Sequence, residues 1–139
     1  MKENLVTAIS IRPYHEADWR MVDEWWGSTG EVHPLPSMMP TDSSFIAEVG
    51  GVPALAVTVY LTNSTEVAYV ENFIGNPSLS GESRRAAASV LADYISVFAK
   101  SLGHKRLVCM TEKESLVKRY KELGFIPTLS GVTALMRET

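Results

Sequence analysis

Residues 76–102 read NPSLSGESRRAAASVLADYISVFAKSL, and the rest of the chain is organised around this stretch. A polar turn opens into the longest amphipathic helix the sequence offers. Val90, Leu91, Tyr94, Ile95, Phe98 and Leu102 fall on one stripe, and Gly103 supplies a left-handed exit. A loop feeding a helix start is a ready anion site, because the first N–H groups of a helix lack intrahelical partners and sit at the positive end of its dipole. Arg84 and Arg85 add mobile cationic charge there. The turn therefore predicts a ligand that carries phosphate.

Working upstream, residues 66–74 (EVAYVENFI) alternate as a strand, with Val67, Tyr69, Glu71 and Phe73 opposed to Ala68, Val70, Asn72 and Ile74. One face is thus expected to carry a carboxylate among apolar residues. Residues 44–49 and 53–61 are β-rich runs around Gly50-Gly51, the pattern of an antiparallel hairpin. Residues 27–41 hold two glycines and three prolines and read as a loop. Before it, Trp19, Val22 and Trp26 recur at helical spacing within residues 15–26, and residues 5–11 form a first strand stopped by Arg12-Pro13.

Downstream, residues 106–110 are a short strand reached by a crossover from the long helix. Thr111 and Glu114 suit a capping box for a last helix, whose buried side is Leu116, Val117, Tyr120 and Leu123 and whose end is Gly124. Residues 125–137 are expected to form a terminal hairpin turning near Ser130-Gly131. The order is β-α-β-β-β-α-β-α-β-β.

At 139 residues with 45% hydrophobic content, the chain fits one domain, residues 1–139, with a core large enough to fold alone. The net charge of −3 gives no global basic field of the kind that gathers nucleic acid or anionic membrane. No apolar run approaches a membrane span, and the N-terminus lacks a signal-peptide pattern. Cys109 is the lone cysteine, which excludes an internal disulfide and agrees with a reducing cytoplasm. His15, His33 and His104 show no metal-ligand spacing, so no metal is expected.

Across nearly its whole length the sequence resembles the GCN5-related N-acetyltransferase superfamily. The motifs that carry the resemblance are RYKELGF at residues 119–125, ENFIGNP at residues 71–77 and IRPYHEADW at residues 11–19. A WW pair and the NP-x6-RR turn are similar to some compact acyltransferases encoded by bacteriophages. The resemblance implies an α/β (α+β) acyl-CoA N-acyltransferase fold, with a mixed, mostly antiparallel sheet flanked by helices. It also implies acetyl-CoA as cosubstrate. The family's pyrophosphate loop usually reads Q/R-x-x-G-x-G/A; here the corresponding residues are Ser80, Gly81, Glu82, Ser83, Arg84 and Arg85. Two glycines that permit close backbone approach to phosphate are missing, so arginine side chains and serine hydroxyls are expected to take over part of the recognition. Lys113 stands where the family often has asparagine on the cofactor side.

Transfer from a thioester to an amine needs a neutral amine, a polarised carbonyl and a proton for the departing thiolate. The resemblance assigns the backbone around Phe73, Ile74 and Gly75 to the pantetheine arm and thioester. It makes Tyr120 the candidate acid, a core tyrosine being the alternative. Glu71 is the candidate base, since a partly buried carboxylate has a raised pKa; Asn72 faces the acceptor instead if a bulge interrupts the strand, and His33 in the proline-rich loop is a third candidate. Trp25 is placed in the acceptor wall. Cys109 reads as a small buried hydrophobe. The leading expectation is an N-acetyltransferase acting on a small-molecule or side-chain primary amine by direct attack in a ternary complex. The alternative, motivated by the glycine-poor turn, is a non-catalytic CoA-binding or protein-interaction module of the same fold. Exposed terminal strands would offer an edge for a homodimer.

Overall fold

A computed structural model of the chain describes residues 8–111 and 113–139. Residues 5–7 of the expected first strand lie outside the described residues. The chain divides into two compact units, Met1–Cys109 and Met110–Thr139.

The first unit contains β1 (Ile9–Pro13), a 3-10 turn (Glu16–Asp18), α1 (Trp19–Gly27), a second 3-10 turn (Pro36–Met38), β2 (Ser44–Val49), β3 (Val52–Tyr60), β4 (Val67–Gly75), α2 (Gly81–Ser101) and β5 (Arg106–Val108). Its five strands lie in sequence order, β1 to β4 antiparallel and β5 parallel to β4. This mixed sheet flanked by helices is the acyl-CoA N-acyltransferase architecture. Gly50 and Gly51 both take positive φ, 58° and 80°, as a two-residue turn between β2 and β3 requires.

The two sheet faces have different covers. On one, Val22 and Trp25 of α1 pack with Tyr14, Met39, Ile46, Ala56 and Ile74, while Trp19, Met21 and Trp26 lie at the margin. The fully buried residues of α1 are Val22 and Trp25, while Trp19 and Trp26 of the expected stripe are only partly buried at the edge of the same cluster. On the other face, Phe45 meets Tyr94 and Phe98 of α2 edge-on, with ring centroids 5.2 and 4.9 Å apart. The centre of the α2 contact is Ala87, Ala88, Leu91, Ile95 and Ala99, all buried, whereas Tyr94 and Leu102 of the expected stripe are exposed. Alanines let the helix axis approach the sheet, and the larger side chains are displaced to its flanks.

In the second unit, α3 (Glu114–Glu122) starts from Lys113 as N-cap with no side-chain cap bond. The expected Thr111 box is replaced by a turn in which Lys113 N–H donates to Thr111 Oγ1 at 3.2 Å. The helix ends where Gly124 takes φ 93°, Gly124 N–H donates to the Lys121 carbonyl and Phe125 N–H to that of Tyr120. The Tyr120 and Phe125 rings meet edge-on at 5.1 Å, the apolar contact that accompanies this cap. The expected terminal hairpin is not seen: residues 125–139 contain no strand. Their apolar residues, among them Ile126, Leu129, Leu135 and Met136, are exposed. Alternation alone does not make a strand, since a ladder needs a partner with free N–H and C=O groups in register.

Candidate active site

The cofactor strand β4 carries a bulge that reassigns its faces. Ala56 pairs with Ile74 but Thr58 pairs with Glu71, so Asn72 and Phe73 together oppose Val57. Asn72 is the one described non-glycine residue with positive φ, at 56°, a conformation asparagine tolerates better than most. Directly paired antiparallel residues share a face, so Glu71 lies with Thr58 and Tyr69 on the α1 side, where Ile74 also packs. Phe73 is sent to the opposite face. The expected grouping of Glu71 with Phe73 is thus corrected: one inserted residue shifts the alternation by one.

The Asn72 amide is the hub of a polar network. Its Nδ2, with two hydrogens to give, lies within hydrogen-bond distance of three acceptors: the Met38 carbonyl at 3.0 Å and Thr58 Oγ1 and Tyr60 Oη at 3.2 Å each. Tyr60 Oη also donates to the Met38 carbonyl at 2.7 Å, and the hydroxyls of Thr58 and buried Ser44 are 2.8 Å apart. Asn72 therefore fastens the proline-rich loop to β4. Thr58, Tyr60 and Ser44 were not singled out by sequence, because a hydroxyl inside an apolar run carries no local signal of its partner.

Glu71 is half-buried, has no ion-pair partner among the described residues, and burial raises its carboxyl pKa above the ordinary range. The Cys109 thiol is pushed up to about 11 by burial and by the Glu71 charge, so it stays protonated and is a poor nucleophile. His33 is not brought to Glu71. It folds back on α1, with Nδ1 2.6 Å from Asp23 Oδ1 and its ring over Gly27. Trp25 is 5% exposed in the α1 core.

The β4–β5 ladder ends at Tyr69 and Val108, while β4 continues to Gly75. Asn76 then ties the turn down: its N–H donates to the Ala54 carbonyl and its Nδ2 to the Pro53 carbonyl, both at 2.8 Å, while its Oδ1 accepts Ser78 N–H at 2.9 Å. The Asn-Pro dipeptide at 76–77 was the available signal for that anchor. Ser80 caps α2 by accepting Ser83 N–H on Oγ at 3.1 Å, which leaves the N–H groups of Gly81 and Glu82 without a partner among the described residues.

The two arginines differ. Arg84 is half-buried, with Nη1 3.4 Å from the Asn76 carbonyl and its Cδ 3.0 Å from where a Cβ on Gly75 would sit. Arg85 is exposed, and its Nη2 is 3.8 Å from where a Cβ on Gly81 would sit, beside the helix start. Lys113 and Tyr120 belong to the second unit, as the N-cap and in the last turn of α3. Among the described residues no group of three or more His, Cys, Asp or Glu side chains is placed to hold a metal ion, and no helix is long and apolar enough to cross a membrane.

No protein-family model matches the chain, and no curated relative matches it. Solved structures do. Ard1 from Thermoplasma volcanium is 17% identical with a TM-score of 0.68, over 88% of this chain and 85% of that one. AAC(6')-Iy in complex with a CoA bisubstrate analogue is 20% identical with a TM-score of 0.68, over 93% and 98%. Rv2747 from Mycobacterium tuberculosis, in complex with CoA, is 13% identical with a TM-score of 0.70, over 90% and 76%. The chain has the fold of the GCN5-related N-acetyltransferases.

Proposed function

We propose that the protein is an N-acetyltransferase that moves an acetyl group from acetyl-CoA to a primary amine, its 139 residues acting as one domain. The observation that carries this reading is Glu71: a half-buried carboxylate of raised pKa, free of a cationic partner among the described residues, on the strand that leads into a helix start with open N–H groups. The amine nitrogen attacks the thioester carbonyl in a ternary complex, the C–N bond forms, the C–S bond breaks, and the ammonium proton passes to Glu71 directly or through water. Tyr120 keeps the role its motif implies, proton donor to the departing thiolate. Phe73, Ile74 and Gly75 hold the pantetheine arm through their backbone. Ser80 to Arg85 hold the pyrophosphate, with Gly81 and Glu82 N–H groups and the Arg85 guanidinium as donors.

Asn72 acts on the acceptor side by fixing the loop above β4, which forms the acceptor wall with His33, while Trp25, expected in that wall, is buried in the core and supports it from beneath. Lys113 completes the cofactor side. The acceptor is a small molecule or a protein side chain, and the reaction belongs in a reducing cytoplasm where Cys109 stays a thiol. A homodimer is a further expectation. The non-catalytic module is the less favoured reading, since an unpaired half-buried carboxylate is costly to keep without use. Acetyl-CoA titrated into the full chain should raise its melting temperature and release calorimetric heat. At a ligand concentration about a hundred times Kd the stabilisation is about 2.7 kcal/mol. No shift and no heat at millimolar acetyl-CoA would overturn the proposal.

A further inference from the structure

The face around Glu71 narrows the class of amine that the proposed acetyl transfer can use. Glu71 pairs with Thr58 across the β3–β4 ladder and Tyr69 pairs with Tyr60, so both tyrosines share the α1 face with the carboxylate, two positions along each strand. That spacing is about 6.8 Å, within reach of a short alkyl chain. Tyr60 is held by its hydroxyl, which donates to the Met38 carbonyl at 2.7 Å, and Tyr69 is 36% exposed. The Tyr69 ring has no aromatic or cationic partner among the described residues, which leaves it open to a ligand.

Charge along the chain is segregated on the same side. Residues 21–83 run from α1 to the start of α2, and they hold eight Asp or Glu and no Lys or Arg. Just upstream, Arg12 is engaged with Asp18 and Glu48, and Arg20 is exposed in the first turn of α1. Within the stretch, Glu66 is paired with Lys105 and Arg106, and Asp23 with His33. Glu24, Asp42 and Glu71 have no basic partner among the described residues, and Glu82 belongs to the start of α2. A long stretch of one sign draws cations toward it and turns anions away before contact.

These surroundings separate three kinds of amine. A carboxylate on the acceptor would meet Glu71 with no lysine or arginine from the proline-rich loop or β2 to β4 to receive it, which disfavours amino acids. A lone ammonium uses Glu71 but not the tyrosines. A short chain with an ammonium at each end uses both: one nitrogen gives its proton to Glu71 and is acetylated, while the other stays charged against the negative face of the Tyr69 ring. Acetylation removes one of the two charges, so the product is held less tightly than the substrate. Resting on the acetyl-transfer reading, we infer that the acceptor is a small aliphatic polyamine without an anionic group, and that Tyr69, beside Tyr60, holds the ammonium that is not acetylated.

The test compares three amines built on the same four-carbon chain: butane-1,4-diamine, butan-1-amine and 4-aminobutanoate. With the full chain and acetyl-CoA, release of the CoA thiol should give a kcat/KM for the diamine about tenfold or more above that for butan-1-amine, with 4-aminobutanoate lowest. Tyr69→Leu should narrow the diamine preference to within about threefold, mainly through KM, whereas Tyr69→Phe keeps the ring and should keep the preference. Calorimetric titration of the same three amines reads the order of affinity whether or not transfer occurs. Tightest binding by the diamine without transfer would count against acetyl transfer and leave the polyamine site standing. Butan-1-amine or 4-aminobutanoate used and bound as well as the diamine would overturn the inference, and so would a diamine preference untouched by Tyr69→Leu or no diamine binding at tens of millimolar.

Discussion

Glu71 and the paired arginines are the side chains where the fold and the proposed reaction meet. Burial raises the Glu71 pKa, so its ionised form is disfavoured in the folded state relative to the unfolded one. That contribution to stability is fully present below the unfolded-state pKa and is lost as the pH rises through the folded-state value. Glu71→Gln should therefore melt at or above the wild-type temperature at neutral pH, and the gap should close as the pH falls into the ordinary carboxylate range. The same variant should lose about 10²–10⁴-fold in turnover, and wild-type activity should fall on acidification as the base is protonated. Full activity in Glu71→Gln would remove this carboxylate from the mechanism. The arginines are separable because Arg84 is engaged with the Asn76 carbonyl while Arg85 stands exposed at the helix start. Arg85→Ala should weaken CoA binding by about 1 kcal/mol or more, and Arg84→Ala should chiefly lower the melting temperature; equal calorimetric affinities for Arg85→Ala and wild type would return phosphate recognition to the backbone.

Among the elements, β4 shows how one residue sets the chemistry of a strand. Its β character was legible from alternation, and its place before the anion turn was legible from Asn76-Pro77, but its faces were not. The bulge depends on Asn72 reaching Met38, Thr58 and Tyr60, contacts that span up to 34 residues of sequence. Asn72→Ala should cost about 2–4 kcal/mol, through strain at positive φ and the loss of the amide's two donors, whereas Asn72→Gly keeps the conformation and should cost less. Chemical denaturation of the two variants gives the comparison, and an Ala variant as stable as the Gly variant would count against strain at this position. The end of α3 was legible for a local reason: Tyr120, Gly124 and Phe125 lie within one turn and form a complete cap. Gly124→Ala should cost about 1–2 kcal/mol because φ is 93° there, read as loss of thermal stability. The start of the same helix was not legible, since Thr111 and Lys113 compete for it and the choice rests on backbone geometry.

For the molecule as a whole, the first unit is a five-stranded sheet with a different core on each face, and β3 is buried from Ala54 to Val59 because both faces are covered. Leu91 is 1% exposed at the centre of the α2 contact, so Leu91→Ala should cost about 2–5 kcal/mol in equilibrium unfolding. The sequence by itself determined the order of the elements from the first strand to the last helix, the glycine turn, the polar turn that opens α2 and the resemblance to an acetyltransferase family. All of these rest on periodicity and turn chemistry within a few residues. Only the tertiary structure decided the face on which Glu71 stands, the different surroundings of Arg84 and Arg85, the tie between Asn72 and the proline-rich loop, and the absence of strands after Phe125. Each of these depends on which distant backbone or side chain comes within hydrogen-bonding reach, and no local pattern encodes that.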